Sequence, residues 1–114
     1  MSRKERVQEA IKQEVSSIIH DELKDPRIGF VTVTRTELSP DLRHARIFVS
    51  VLGKQELSNS TFKALGSAKG FIRKLLAQRL KMRFTPDITF KEDKSVEYSI
   101  YISKKIDELK NENK

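Results

Sequence analysis

The sequence predicts an α+β domain in the order αββααβα, a small three-stranded sheet with its helices packed on one face. Three observations predict it. The chain opens on a long amphipathic stretch, Arg3 to Leu23. Two β-branched runs follow, separated only by turn residues. The second half then sets a third short β run, Asp87 to Lys91, among stretches of helical period. At 114 residues the chain suffices for one such domain and is too short for two. A domain over residues 1–109 with a frayed tail at residues 110–114 is expected.

Each element has a local cause. In the first helix Val7, Ala10, Ile11, Val15 and Ile18 share one arc, with Glu5, Gln8, Glu9, Lys12 and Gln13 mostly opposite. Asp25-Pro26 ends it, because the residue before proline is pushed out of the α region. Gly29 to Leu38 alternates as a strand, with Val31 and Val33 facing one way and Thr32, Thr34 and Thr36 the other. Ser39-Pro40-Asp41 is turn chemistry, with Asp41 placed to bond the local backbone. Arg43 to Leu52 returns antiparallel, Ala45, Ile47, Val49 and Val51 inward and His44, Arg46, Phe48 and Ser50 outward. Gly53 closes this strand, and Ser58-Asn59-Ser60 offers N-caps for a short helix carrying Phe62 and Leu65. A second amphipathic helix runs from Gly70 to about Leu80, and Thr85-Pro86 stops it. Ser95 can cap a last helix striped by Tyr98, Ile102, Ile106 and Leu109.

Composition narrows the function classes. With no cysteine there is no disulfide framework, no Cys-based zinc site and no thiol nucleophile. No apolar run is long enough to span a bilayer, and no apolar segment follows the charged Met1–Arg6 start as a secretory signal would require. A soluble cytoplasmic protein is expected. His20 and His44 stand in no metal-binding spacing, so no metal site is expected. Asp21, Glu22 and Asp25 cluster, but no nucleophile–base constellation or phosphate-cradling loop accompanies them. No catalytic residue and no cofactor is expected.

The formal charge of +7 has a definite location. From Leu57 to Pro86 there is no acid, while Lys63, Lys69, Arg73, Lys74, Arg79, Lys81 and Arg83 fall there. Removing these seven from 23 basic residues leaves 16, equal to the 16 acids, so this segment supplies the whole imbalance. Ordinary solvent faces mix signs, so the segment reads as a footprint for a polyanion. In helical projection Phe71, Ile72, Leu75, Leu76, Leu80 and Met82 form a core arc, and Gly70, Arg73, Lys74, Ala77 and Lys81 an open one. A glycine on the open side makes sense where the backbone bends or where another backbone approaches. A helix N-terminus meeting a phosphate fits both. Plain helix punctuation at Gly66 and Gly70 is the other reading.

A strand pair followed by two helices joined at a glycine and a further strand is similar to the type-II KH fold, whose GxxG loop clamps a nucleic-acid backbone. Gly66-Ser67-Ala68-Lys69-Gly70 departs from that loop and offers an Ala68-Lys69-Gly70 kink instead. The chain closely resembles the ribosome-binding factor A family. The match lies in Asp25-Pro26-Arg27-Ile28-Gly29-Phe30-Val31-Thr32-Val33-Thr34, Leu38-Ser39-Pro40-Asp41-Leu42-Arg43-His44-Ala45, Phe48-Val49-Ser50-Val51-Leu52-Gly53, and Ala68-Lys69-Gly70-Phe71-Ile72-Arg73 through Arg83-Phe84-Thr85-Pro86-Asp87-Ile88-Thr89-Phe90. The resemblance implies a single KH-like domain and a non-catalytic bacterial factor for ribosome biogenesis. Its partner would be the free 30S subunit, at the 5′-terminal helix region of 16S rRNA. Its roles would be late 30S maturation, processing of the 16S rRNA 5′ end and growth after cold shock.

The RNA contacts expected are Lys69, Gly70, Arg73, Lys74, Lys81 and Arg83, with Ala68, Lys69 and Gly70 as the helix kink. Arg79 projects towards the apolar arc, where a structural role weighs equally. Arg27, Arg43, Arg46 and Lys24 flank the strands among acids, so solvent exposure is their default and an RNA role secondary. Reversing Arg73 and Lys74 together is expected to weaken subunit binding and leave folding intact. The alternative is a protein-interaction module that docks an acidic partner through the long first helix and the basic face. A monomer is expected in either case.

Overall fold

The structure is a computed structural model, and it describes residues 1–94 and 104–109. Helix α1 (Arg3–Asp21) begins at Ser2, whose Oγ accepts the Glu5 N–H at 3.1 Å. Ile11, Val15, Ile18 and Ile19 form its buried stripe. Strands β1 (Val31–Leu38) and β2 (His44–Val51) pair antiparallel, and β3 (Asp87–Glu92) joins the other edge of β2 in parallel. The sheet order is β1-β2-β3. Helices α2 (Gln55–Ser67) and α3 (Lys69–Leu80) lie between β2 and β3 in the chain, and residues 104–109 are helical. The expected order αββααβα is therefore present.

The core sits between the helices and one face of the sheet. Ile11, Val15, Ile18, Ile47, Val49, Leu65, Ile72, Leu76 and Ile88 are fully shielded there. The inward set expected for β2 is buried as predicted. Its outward set is not uniform, because Ser50 is buried too. On β1 the alternation breaks. Val33 pairs with Val49 but Arg35 pairs with Phe48, so Thr34 is an extra residue, a β-bulge. One added residue moves every later side chain to the other face. Thr36 is thereby buried rather than outward, and Leu38 closes the core.

Three further expectations need correction. Helix α2 starts at Gln55 with Lys54 at its N-cap, not at Ser58-Asn59-Ser60. Gly53, at φ +123°, reverses the chain so abruptly that the helix begins at once, and Ser58 ends up buried inside it. On α3, Phe71 is 47% exposed rather than part of the core arc. The inward line is Ile72–Leu76, and Phe71 lies roughly 120° from its midpoint at about 100° per residue. In the final helical piece, Ile106 and Leu109 are exposed, so these two bury no stripe. Ser95, Tyr98, Ile102 and residues 110–114 lie outside the described residues.

Candidate nucleic-acid interface

Helices α2 and α3 meet at one residue. Ala68 ends the first and caps the second at φ −88° and ψ −1°, well away from helical ψ. Its N–H still reaches the Ala64 carbonyl at 3.0 Å, and its own carbonyl accepts the Ile72 N–H at 2.9 Å. The bend therefore keeps hydrogen bonding on both sides while redirecting the axis. No side chain caps the start of α3, which leaves that end's dipole uncovered by acid.

Neither glycine beside the bend is required by the chain itself. A Cβ on Gly66 or on Gly70 would meet nothing within 4 Å. Both are exposed. Gly66 and Gly70 thus present bare backbone to solvent, while Ala68 packs against the core between them and Lys69 Nζ stands 3.9 Å from Asp87.

The structure separates the seven cations of the acid-free segment. Arg73 turns back on the chain: its Nε donates to the Pro86 carbonyl and its Nη2 to the Thr85 carbonyl, each at 3.2 Å. It fixes the loop that feeds β3. Arg79 clamps α3 to α1, its guanidinium reaching Glu14 at 3.4 Å, Glu22 at 3.2 Å and Ser17 Oγ at 3.1 Å. That settles the open reading of Arg79 in favour of structure. Lys63, Lys74, Lys81 and Arg83 are exposed and make no ion pair among the described residues. Lys74 projects opposite the Ile72–Leu76 line, on the side of Gly70. Lys81 is the left-handed C-cap of α3, at φ 50°. Its backbone turns the chain so that Met82 N–H closes on the Ala77 carbonyl at 3.2 Å.

Sequence reasoning missed one neighbour, Arg3, and gave another, Arg43, only a secondary RNA role. Arg3 and Arg43, from the start of α1 and the β1–β2 turn, line the same cleft as Lys81 and Arg83. Only the fold brings them together. The carboxylates near the end of α1 are engaged structurally. Glu22 holds Arg79, and Asp21 accepts a hydrogen bond from Ser17 Oγ at 3.2 Å. Asp25 takes Arg27 at 2.7 Å, and that hydrogen-bonded pairing holds its carboxyl below the usual carboxylate range. Among the described residues no three His, Asp or Glu side chains gather as a metal site. No helix there is long and apolar enough to cross a membrane.

The matching block Asp25 to Phe30 is held by a buried threonine on α2. Thr61 Oγ1 donates to the Arg27 carbonyl at 3.1 Å and accepts the Gly29 N–H at 3.3 Å. Gly29 packs on Leu57, with a Cβ there 3.2 Å from the nearest Leu57 carbon. The block positions α2, and through Ala68 the bend, rather than facing the basic side.

Comparison with known proteins agrees with this architecture. The family described as Ribosome-binding factor A matches residues 3–106. A ribosome-binding factor A of Natranaerobius thermophilus is 46% identical over 107 residues, covering 94% of this chain and 82% of that protein. The crystal structure of ribosome-binding factor A from Thermus thermophilus superposes with a TM-score of 0.71 at 25% identity, over 80% of this chain and 97% of that one. A homology model of the Thermus thermophilus factor, as fitted into a cryo-EM map of a 30S–ribosome-binding factor A complex, superposes with a TM-score of 0.68 at 26% identity. It covers 81% of this chain and 97% of that one. With nearly its full length matched, and with the strand pair, the bent helix pair and the parallel third strand in place, the chain belongs to the ribosome-binding factor A family.

Proposed function

We propose that this protein binds the free 30S ribosomal subunit through 16S rRNA and acts as a non-catalytic assembly factor in the cytoplasm. The observation that carries the reading is the segregation of charge. The acid-free segment folds into the bent helix pair, Lys74 emerges on the side of the bare Gly70 backbone, and Lys81 stands exposed at the C-cap of α3. The 30S complex of the Thermus thermophilus factor supports the choice of partner. Lys69, Gly70, Lys74, Lys81 and Arg83 make the RNA contacts. Arg73 contributes through the donors left over from its two carbonyl bonds.

The mechanism is binding energy alone. The bent helix pair holds immature rRNA near the 5′-terminal helix of 16S rRNA, and occupancy delays use of the subunit until late maturation and 5′-end processing are complete. Cold strengthens misfolded RNA pairings, which makes such a holder most useful during cold adaptation. The contacts are to phosphates and shape, so affinity falls steeply with salt, with a log–log slope of about −0.7 to −0.9 per phosphate neutralised.

Co-sedimentation with purified 30S subunits across a salt series tests the reading. Lys74→Glu is expected to weaken binding about tenfold and to flatten the salt slope. Its unfolding free energy should stay within about 0.5 kcal/mol of the parent. Salt-independent binding, or binding to a protein partner that survives nuclease treatment while 30S binding is absent, would overturn it in favour of a protein-interaction module.

A further inference from the structure

One end of the molecule joins two cations of the basic segment, Lys81 and Arg83, to two from elsewhere in the chain, Arg3 and Arg43. There α1 begins, the β1–β2 turn bends and α3 ends. Arg3, Arg43, Lys81 and Arg83 line one cleft of about 620 Å³ at this end. Among the described residues none of the four makes an ion pair. The lining holds one carboxylate, Asp41, and it is committed to the turn. Its Oδ1 accepts the Ser39 hydroxyl at 2.6 Å and the Arg43 N–H at 3.0 Å. The Ser39 hydrogen bond, with the Arg43 N–H behind it, holds this carboxyl below the usual carboxylate range. Four free cations therefore face one spent acid, an excess that calls for an anion.

An aromatic ring stands among them. Phe84 is 59% exposed, and the Arg43 guanidinium lies 5.4 Å from its ring centroid. Phe84 thus sets an exposed aromatic ring beside the four cations. Lys81 holds a left-handed conformation in which glycine is the cheaper residue, and Leu42, also in the lining, does likewise at φ 61°. Free cations around an open aromatic face match an unpaired nucleobase and its flanking phosphates, since every base offers a π-face for stacking. A duplex keeps its bases stacked on one another and would meet only the cations.

We propose that this cleft binds a single-stranded segment of RNA, one base stacked on Phe84 and the adjoining phosphates held by Arg3, Arg43, Lys81 and Arg83. The proposal rests on the RNA-binding reading of α3 and adds the form of RNA and the place where it is gripped. It makes Phe84 a discriminating residue between unpaired and paired strands, and it recruits Arg3 and Arg43, which stand far from α3 in the chain.

Fluorescence anisotropy of the full chain tests it, with a short labelled oligoadenylate and a duplex RNA of equal length as probes. Phe84→Leu keeps an apolar side chain and removes the aromatic face. It should bind oligoadenylate about tenfold more weakly than the parent and bind the duplex equally well. Phe84→Tyr should retain parental affinity for both. Arg43→Gln should flatten the salt slope for oligoadenylate by roughly 0.7. Parental affinity of Phe84→Leu for oligoadenylate would overturn the proposal, as would equal losses on both probes or loss in Phe84→Tyr. A parent that binds only the duplex would overturn it and leave the reading of α3 standing. A parent that binds neither probe nor the 30S subunit would overturn both.

Discussion

On α3, Arg73 and Arg79 end on protein atoms, whereas Lys74 and the capping Lys81 end in solvent. All four belong to one acid-free run and look alike in the sequence. The difference follows from side-chain chemistry and direction. A guanidinium presents a planar fork of donors and can satisfy several fixed acceptors at once, as Arg79 does with Glu14, Ser17 and Glu22. A lysine on the outer line has no such acceptors within reach and keeps its charge available. The basic helix thus has an inner edge that holds the fold together and an outer edge that remains free for an anion.

Breaking the inner edge should have the largest effect on stability. Arg79→Glu replaces two attractions with two repulsions at the α1–α3 seam and should lower the unfolding free energy by about 2 kcal/mol. Urea denaturation measures this, and a midpoint equal to the parent's would mean that the clamp holds nothing. Arg73→Met comes next. It keeps the apolar stem but leaves the Thr85 and Pro86 carbonyls without their donor, at a cost of about 1.5 kcal/mol. For this reason the joint reversal of Arg73 and Lys74 is not the clean surface change expected from projection alone. If Arg73→Met proves neutral in denaturation, the loop before β3 does not depend on it, and Arg73 returns to the outer set.

Lys81→Gly sharpens the comparison most finely, because its two effects have opposite sign. Relief of the left-handed backbone should stabilise the protein by about 0.5–1 kcal/mol. Loss of the cation should at the same time reduce the salt slope of RNA binding by about 0.7 to 0.9. Stabilisation with unchanged RNA binding would remove Lys81 from the interface.

Much of the fold was legible because it rests on local rules. The period of Ile11, Val15 and Ile18, the alternation from Ala45 to Val51, and the turn chemistry of Ser39 and Asp41 all appear in place. What escaped depends on a single displaced residue or on a distant partner. The bulge at Thr34 inverts the side of Thr36, and no turn residue announces it. The early start of α2 follows from the conformation of Gly53, while three good capping residues lie unused downstream. Within the candidate interface, the open placement of Gly70, Lys74 and Lys81 could be read from helical period. The engagement of Arg73 could not, since its acceptors are backbone carbonyls in a loop.

The sequence by itself determined that the net positive charge belongs to one contiguous segment, and that a bend with glycines interrupts its helix. Charge totals and backbone propensities are properties of the chain and survive any folding. Which of those charges remain available was decided only in three dimensions. Arg79 meets Glu14 and Glu22 across 65 and 57 residues of chain. Arg3, Arg43 and Phe84 come together only where the start of α1, a strand turn and the end of α3 converge. Pairing between charges falls off with distance through space, and distance through space is what the tertiary fold sets.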